Sequence, residues 1–329
     1  MREAFLRVGT RTVAVCVFLL LVAGALVTST ESGLAVPDWP LSYGKLMPPM
    51  VGGILYEHGH RLIAAAVSAL VGLEMAMLFF LEKRKTVKRL GVAAFAAILT
   101  QAVLGGLTVL FLLPPAISSA HAALAEIVFA LTAVVALMCS KTWTELISRP
   151  APSSSYPFAE NPSSPSSSSA ENSSAFRWTL LATAAIYAQI ILGAVMRHTG
   201  AGLAIPDFPT AFGGLWPSTE DLARRGVPIH LAHRLGAAVV LALVFAAARA
   251  LGRASARSPV FADFAAIWTG LVTIQVLLGA LSIWSGKAPP LTVAHLAAGA
   301  LCWVTGVLAT VCLGACRNRT NALSSRIRA

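Results

Sequence analysis

The sequence predicts an all-α integral membrane protein with eight transmembrane helices, arranged as two parallel-repeat four-helix bundles with pseudo-two-fold symmetry. Three observations predict this fold class: the composition, the number of apolar stretches and an internal repeat. The 329 residues are 57% hydrophobic and 12% charged, and their mean hydropathy is +0.74. Such a composition is typical of a chain that crosses the membrane many times.

Eight stretches are long enough to cross the hydrocarbon core, which takes about 20 apolar residues per helix. The first stretch also looks like a secretory signal, because Arg2, Arg7 and Arg11 precede an apolar run. A cleaved signal would leave the two copies of the internal repeat with unequal numbers of helices, so we expect this helix to be retained. The predicted spans are approximately 13–30, 55–81, 90–111, 117–140, 178–196, 229–251, 260–285 and 290–313.

The chain contains the same unit twice. The segment SGLAVPDWPLSYGKLMPP at 32–49 recurs as AGLAIPDFPTAFGGLWPS at 201–218, an offset of 169 residues. Each unit holds four spans and returns to its starting side, so both units have the same orientation in the membrane. Shorter motifs recur at offsets of 173 or 174 residues: EHGHRL (57–62) with HLAHRL (230–235), QAVLGGL (101–107) with QVLLGAL (275–281), and SSAHAAL (118–124) with TVAHLAA (292–298).

The repeat predicts an N-terminal bundle over 1–140 and a C-terminal bundle over 177–329. Between them, 141–176 is rich in Ser and Pro, which is typical of a disordered linker. Of the 25 Lys and Arg residues, 18 lie in the two tails, in 141–177 and in the loops at 82–89 and 249–257. The positive-inside rule therefore places both termini and the linker in the cytoplasm. Since topology accounts for the net charge of +11, nucleic-acid binding is not expected.

Each copy places two histidines at matching positions, His60 and His121 in the first and His233 and His295 in the second. They fall near the outer ends of spans 2, 4, 6 and 8, at about the same depth. Ionisable side chains in apolar segments are costly and indicate function. Two histidines per four-helix unit suit one planar iron porphyrin ligated from both sides, whereas structural zinc takes four ligands. The alternative is that each histidine is an interface residue or an interhelical hydrogen-bond donor.

Residues beside the histidines differ between the copies. Glu57 precedes His60 by three residues, whereas His230 holds the matching place before His233. Residues at i and i+3 share a helix face, so Glu57 is predicted to face the ligand of His60, where a carboxylate could position or deprotonate water. The alternative for Glu57 is an ion pair with Arg61. This asymmetry favours chemistry in the first half and a permanent redox cofactor in the second.

Other polar residues admit two interpretations each. Arg61 and Arg234 follow a histidine in each copy, and either pair with haem propionates or extend to lipid headgroups. Gln101, Gln189 and Gln275 begin QxxLG-like runs that favour close helix packing with the amide as an interhelical hydrogen bond. Glu74 and Glu126 would serve a proton route or a buried hydrogen bond, and His58 and His198 are expected to face the loops.

Taken together, EHGHR opening span 2, HLAHR opening span 6, the histidines of spans 4 and 8 and the GLAVPDWP-type loops resemble the haem A synthase family of cytochrome oxidase assembly factors. The resemblance covers nearly the whole chain except the linker and tails. It implies oxidation of the C8 methyl group of haem O to the formyl group of haem A. It also implies that His60 and His121 flank haem O, that Glu57 is the essential carboxylate, and that His233 and His295 ligate haem B.

The resemblance further implies a multi-pass protein of the bacterial inner membrane. Its expected partners are haem O, membrane lipid, haem O synthase, the terminal oxidase and a quinol or other electron donor. Many family members carry paired cysteines in the outer loops, but 31–54 and 197–228 contain none. The alternatives are a non-enzymatic dihaem cytochrome that relays electrons from quinol and a transporter built from parallel repeats.

Overall fold

The computed structural model of the chain describes residues 1–148, 167–255 and 258–328, without the side chains of 167–172 and 319–328. The described part is helical and contains no strand, which confirms the all-α prediction. A 3-10 turn at Ala201–Leu203 accompanies the α-helices. In chain order these are α1 (Arg2–Ser29), α2 (Gly53–Leu81), α3 (Lys85–Leu110), α4 (Pro115–Met138), α5 (Lys141–Ser148), α6 (Ser167–His198), α7 (Thr219–Leu222), α8 (Val227–Ala254), α9 (Val260–Trp284) and α10 (Pro289–Arg328).

Eight of the described helices are long and apolar enough to cross a membrane, namely all except the short α5 and α7. This number confirms the eight spans predicted from the sequence. Several bounds differ from the prediction, since α1 already begins at Arg2 and α10 continues to Arg328. Proline in the first turn starts α4, α8 and α10 (Pro115, Pro228 and Pro289), where its missing N–H leaves no hydrogen bond unmade.

The long helices contact one another in two closed cycles. In the first half α1 packs on α2, α2 on α3, α3 on α4 and α4 on α1, and in the second half α6, α8, α9 and α10 follow the same order. Contacts of α1 with α10 and of α4 with α6 and α10 join the halves. The pseudo-two-fold relation and the division into repeated bundles stay predictions.

The last helix, α10, belongs to both hydrophobic cores. Its Ala300 and Val304 pack in the cluster built from α1–α4, whereas its Ala309 and Cys312 pack in the cluster of the second half. Along its apolar part, Pro289–Asn318, it is the most buried of the eight membrane-spanning helices described. The two halves are therefore joined by shared packing and not only by the chain between them.

The segment predicted as a disordered linker is helical at both ends. Lys141–Ser148 forms α5, whose Trp143 and Leu146 are buried against the second-half core, and α6 already begins at Ser167. The prediction of disorder was wrong at these two ends. Ser and Pro dominate the average composition of 141–176, and this average does not reveal the short amphipathic helix α5. The remainder of the linker prediction, 149–166, lies outside the described residues.

Candidate functional site

The four matched histidines lie at one end of the helix assembly. His60 is the eighth residue of α2, and His121, His233 and His295 are each the seventh residue of α4, α8 and α10. Because an α-helix rises about 1.5 Å per residue, the four histidines lie at nearly the same distance from the N-terminal ends of their helices. The ends carrying them coincide, because Ser29 at the end of α1 accepts hydrogen bonds from Arg197 of α6 (2.7 Å) and Thr292 of α10 (3.1 Å).

Within each half the two histidines lie on opposite helices of the four-helix cycle, His60 and His121 on α2 and α4, and His233 and His295 on α8 and α10. All four side chains are half-buried. In the part of the chain that is described, no group of three or more His, Cys, Asp or Glu could hold a bare metal ion. A haem needs only two protein ligands, because the porphyrin supplies the other four nitrogens. The donor set in each half therefore fits a haem better than a metal ion.

Unpaired ring nitrogens also fit a ligand role. Nδ1 of His60 and Nδ1 of His121 are buried and have no hydrogen-bond partner among the described residues. Buried polar atoms are normally paired, so an orphaned one calls for an explanation such as a ligand. The prediction that these histidines ligate haem stays a prediction, and the chemistry of the donor set supports it.

Each histidine ring lies against a glycine of the preceding long helix. A β-carbon built on Gly24, Gly105, Gly193 or Gly279 would lie 3.1, 3.0, 2.9 or 3.2 Å from Cε1 of His60, His121, His233 or His295, in that order. Real β-carbons essentially never approach closer than 3.0 Å. The built contact falls below this limit only at Gly193, and the other three are tighter than nine in ten real β-carbon contacts, so a larger residue at any of the four positions would require the imidazole to shift.

Three of the four histidines also meet a glutamine one turn before that glycine. Gln101 Nε2 donates to the backbone oxygen of His121 at 2.9 Å and lies 3.4 Å from its Nε2. Gln189 Nε2 donates to the backbone oxygen of His233 at 2.7 Å and lies 3.0 Å from its Nδ1. Gln275 Nε2 lies 3.4 Å from Nε2 of His295, whose Nδ1 is 3.1 Å from the backbone oxygen of Gln275.

The first helix lacks this glutamine. In α1 the residue four positions before Gly24 is Leu20. In the other three helices the residue four positions before the glycine is glutamine, which gives the motif Gln-x-x-x-Gly. Sequence reasoning assigned the glutamines to interhelical hydrogen bonds, which the contacts to His121 and His233 confirm. It missed that the amides approach the histidine rings and that the glycines seat them. The signal was present in the sequence as the recurrence of Gln-x-x-x-Gly on spans 3, 5 and 7 and its absence from span 1.

The two repeated loops have the same internal structure. Asp38 accepts backbone hydrogen bonds from Tyr43 (2.7 Å) and Gly44 (2.8 Å), and Asp207 accepts them from Phe212 and Gly213 (both 2.8 Å). The bonds from Gly44 and Tyr43 lower the pKa of Asp38 below its ordinary value. For Asp207 burial opposes ionisation, but a hydrogen bond from Thr210 and the two backbone bonds outweigh it and lower the pKa to about 2.

Arg61 and Arg234 fasten these loops to the helices. Arg61 donates to the backbone oxygens of Val36 (3.3 Å), Asp38 (2.7 Å) and Leu41 (2.9 Å). Arg234 donates to the matching oxygens of Ile205 (3.1 Å), Asp207 (2.5 Å) and Thr210 (2.9 Å). Sequence reasoning expected propionates or lipid headgroups as partners. Pairing with propionates stays a prediction, and loop carbonyls are the partners found.

Glu57 is buried, and both of its carboxylate oxygens have partners. Oε1 pairs with Arg61 at 2.5 Å, which was the alternative expected from the sequence, and Oε2 accepts from the backbone N–H of Val36 at 2.8 Å. A carboxylate has about four acceptor positions, so these two bonds leave room for a further donor. Glu57 therefore anchors the loop and retains acceptor capacity one turn outward from His60.

The remaining polar residues fall into two groups. His58 faces the loop, as expected, since its Nδ1 lies 2.7 Å from Ser42 Oγ. Glu74 and Glu126 are buried, and within the described residues both oxygens of Glu74 and Oε2 of Glu126 have no hydrogen-bond partner. Glu74 follows His60 by 14 residues on α2 and Glu126 follows His121 by five on α4, so both glutamates lie deeper in the helix assembly than the histidines.

Comparison with known proteins identifies the family to which the chain is similar. Residues 54–307 match the family described as cytochrome oxidase assembly protein. The chain is 30% identical over 229 residues to the haem A synthase of Symbiobacterium thermophilum, covering 67% of each chain. It is 26% identical over 318 residues to the haem A synthase of Geobacillus thermodenitrificans (94% of this chain, 90% of the other) and 28% identical over 313 residues to that of Geobacillus kaustophilus (91% and 88%).

Proposed function

The chain belongs to the cytochrome oxidase assembly protein family, and from that premise we propose that it is a haem A synthase, a membrane oxidoreductase that converts haem O to haem A. The observation that carries the proposal is the pair of matched histidine sites: among the described residues, the carboxylate of Glu57 stands beside the first pair, whereas His230 holds the matching place beside the second. A permanent cofactor needs only ligands, whereas a substrate site also needs a group that handles protons. The asymmetry between Glu57 and His230 meets this requirement.

The first half is the proposed substrate site. His60 and His121 would bind the iron of haem O from two helices, and the C8 methyl group would lie near Glu57. The free acceptor positions of Glu57 would hold a water molecule or take a proton as the methyl group is oxidised to the formyl group. Val36 and Arg61 fix the carboxylate in place, which supports a positioned group over a mobile one.

The second half is the proposed cofactor site, where His233 and His295 would ligate haem B. When bound, this haem would supply the route by which electrons leave or enter the substrate site. His230 cannot replace Glu57 as an anion, and its Nδ1 accepts the backbone N–H of Ile205 at 3.1 Å. This supports a second half that holds the loop and the cofactor without taking part in the proton chemistry.

The loops would cover both sites at the outer surface. Arg61 and Arg234 hold the loops over the helix ends that carry the histidines, and either guanidinium could in addition pair with a haem propionate. Nε of Arg234 is buried and lacks a partner in the described part of the chain, which supports such a pairing most directly. Arg234 also stacks on the ring of Phe208 at 5.6 Å, so its position is fixed on two sides.

Eight apolar helices place the protein across a membrane, and the bias of basic residues supports cytoplasmic termini. We expect the bacterial inner membrane as its location, with haem O and lipid as direct partners. Haem O synthase, the terminal oxidase and a quinol or other electron donor are its expected functional partners.

Production of the chain in cells that make haem O but no haem A tests the proposal. Haem A or a hydroxylated intermediate in the extracted haems is the expected result, with haem B retained by the purified protein. Bound haem B without either product would refute the synthase activity. Two equivalents of haem B and no conversion would instead favour the dihaem cytochrome.

A further inference from the structure

We propose that Glu126 binds a proton when an electron reaches either of the two histidine sites and releases the proton when the electron leaves. The inference rests on the proposed function, because it requires a redox-active group in each half. It goes beyond that function by giving a role to a buried carboxyl group that lies between the two halves. Glu126 is not part of either histidine pair and lies about 7.5 Å deeper along α4 than His121.

The side of α4 that carries Glu126 faces the second half. Residues at i and i+4 share a helix face, and Ala130, four residues after Glu126, packs in the hydrophobic cluster of the second half. The backbone oxygen of Ala123, three residues before Glu126, accepts a hydrogen bond from the hydroxyl group of Tyr187 on α6 at 3.2 Å. Ser119, seven residues before Glu126, lies on the same face. These residues of α4 form its junction face, and α4 contacts both α6 and α10.

The polar atoms of the junction face are buried without partners. The exposed fractions of Glu126 and Ser119 are 3% and 6%, and among the described residues Glu126 Oε2 and Ser119 Oγ have no hydrogen-bond partner. A carboxyl group without a partner is costly inside a membrane-spanning helix and indicates function. The missing partner also argues against the alternative expected from the sequence, which was a buried hydrogen bond.

The internal repeat indicates that contact between the halves does not require these polar groups. Each of the three polar residues has an apolar residue at the matching position of the other repeat: Ala300 for Glu126, Val293 for Ser119 and Phe18 for Tyr187. Ala300 packs in the hydrophobic cluster of the first half. The matching face of α10 is therefore also turned towards the opposite half, but it is apolar.

The aromatic packing beside the junction face is also repeated. The ring centroids of Phe18 and Phe129 lie 5.5 Å apart in the first half, and those of Tyr187 and Trp303 lie 5.0 Å apart in the second. The two pairs occupy matching positions of the repeat. Tyr187 thus differs from Phe18 by a hydroxyl group that reaches α4 of the other half. The polar groups are added to a packing arrangement that exists without them.

A carboxyl group at this junction is suited to balance the charge of an electron. The iron of a porphyrin carries one more positive charge when it is oxidised than when it is reduced. Positive charge in either half favours the carboxylate form of Glu126, whereas an isolated buried carboxylate is costly once that charge is neutralised. When the electron donor supplies an electron, Glu126 therefore takes one proton from water and becomes a neutral carboxylic acid. When the electron leaves, the O–H bond breaks and the proton returns to water.

Ser119 lies on the route from the outer surface to Glu126. It belongs to the first two turns of α4, at the end that carries the histidine, and it lies two turns outward from Glu126 on the junction face. The residues between them on this face are Ala122 and Ala123, whose side chains are small. A hydroxyl group both donates and accepts hydrogen bonds, so it can pass a proton between outer water and the carboxyl group.

Infrared difference spectroscopy of the purified, haem-bearing protein tests the inference. The spectrum of the reduced protein minus that of the oxidised protein should contain the C=O stretching band of a protonated carboxyl group, which shifts in deuterium oxide. We expect this band to be lost in Glu126→Gln and retained in Glu74→Gln, the matched control. Glu74 is also buried, and its oxygens have no partner among the described residues, but it lies about 21 Å deeper along α2 than His60.

Two further variants separate the carboxyl group from its surroundings. Glu126→Asp keeps a carboxyl group on a shorter side chain, so the band should remain and shift in frequency. Ser119→Val introduces the residue found at the matching position of α10. It should keep the band but slow its appearance after rapid reduction about 100-fold, and an unchanged rate would overturn the route through Ser119.

An unchanged band in Glu126→Gln, or its loss in Glu74→Gln instead, would overturn the inference. So would the absence of the band from a wild-type protein that forms haem A, and each of these results leaves the proposed function standing. If Glu126→Gln binds no haem, the Glu126→Asp result decides, because an unshifted band would exclude residue 126 as its source. A wild-type protein that never binds haem would overturn the proposed function and this inference together.

Discussion

Glu57 and His230 bind the same backbone group of two repeated loops: Glu57 Oε2 accepts the N–H of Val36 at 2.8 Å, and His230 Nδ1 accepts the N–H of Ile205 at 3.1 Å. The two residues therefore share one structural task and differ in charge. A variant at each position disturbs the bond to the loop N–H, whereas only a Glu57 variant also removes an anion and its pair with Arg61.

Glu57→Gln is expected to retain bound haem and to lose conversion. The amide oxygen of glutamine can still accept from Val36, whereas the negative charge that faces Arg61 disappears. If Glu57 handles a proton, conversion should fall about 100-fold or more. Quantifying haem O, haem A and intermediates in extracts of producing cells checks this.

His230→Gln is the matched control for that experiment. It replaces the same loop acceptor in the second half and should leave the yield of haem A within about twofold of the original protein. If both variants lower the yield equally, the loop contact explains the loss. If neither does, Glu57 has no part in the conversion.

Gly193→Ala is expected to reduce haem binding in the second half. The new β-carbon would lie 2.9 Å from Cε1 of His233, and the ring would have to turn away from its position in the pair. Gly270→Ala in α9 is the control, because a β-carbon there meets nothing within 4 Å. Pyridine haemochrome analysis should show haem B lowered in the first variant and unchanged in the second. Equal haem contents in the two variants would argue against a role of Gly193 in placing the ring of His233.

The Asp207 loop is expected to stay closed at neutral pH and to loosen only in acid. Folding lowers the pKa of Asp207 from 3.8 to about 2, so its stabilising contribution is present above pH 3.8 and is lost as the pH falls towards 2. Hydrogen exchange at Phe212 and Gly213, corrected for the intrinsic rate at each pH, should be constant from pH 7 to about 5 and faster below. Asp207→Asn should exchange faster at every pH, and protection equal to the original would contradict the role of the carboxylate.

Both termini are expected on the cytoplasmic side. A green fluorescent protein fused after Ala329 should fluoresce, because it folds in the cytoplasm. Alkaline phosphatase fused there should be inactive, while fusion after Pro217 in the second repeated loop should be active. The reverse pattern would contradict the orientation inferred from the basic residues.

Hydropathy and the repeat sufficed to predict the all-helical fold and the eight spans, because apolar length is a property of the local sequence. They also identified the four histidines, whose matching positions needed no three-dimensional information. The helix over Lys141–Ser148 was missed because serine and proline in the following residues dominate the average. Its Trp143 and Leu146 are three residues apart, which is the spacing of one buried face.

The partners of the charged residues could not be predicted in the same way. Arg61 and Arg234 bind backbone oxygens of the loops, and every residue offers such an oxygen, so no side-chain pattern marks the contact. The sequence suggested haem propionates, lipid headgroups and, for Arg61, the carboxylate of Glu57 as partners. The contacts of the glycines with the histidine rings were missed although Gln-x-x-x-Gly recurs on spans 3, 5 and 7, because the motif does not show which side chain of the facing helix a glycine meets.

The position of α10 in both cores has a consequence for biosynthesis. α10 is made after the other seven membrane-spanning helices described and packs against α1, α4, α6 and α9, so these four helices lack one of their packing partners until α10 has entered the bilayer. A chain that stops before residue 289 would therefore leave apolar surface of both cores without the side chains that cover it. His295 also arrives with this helix, so the proposed pair of the second half would be complete only after α10 has inserted.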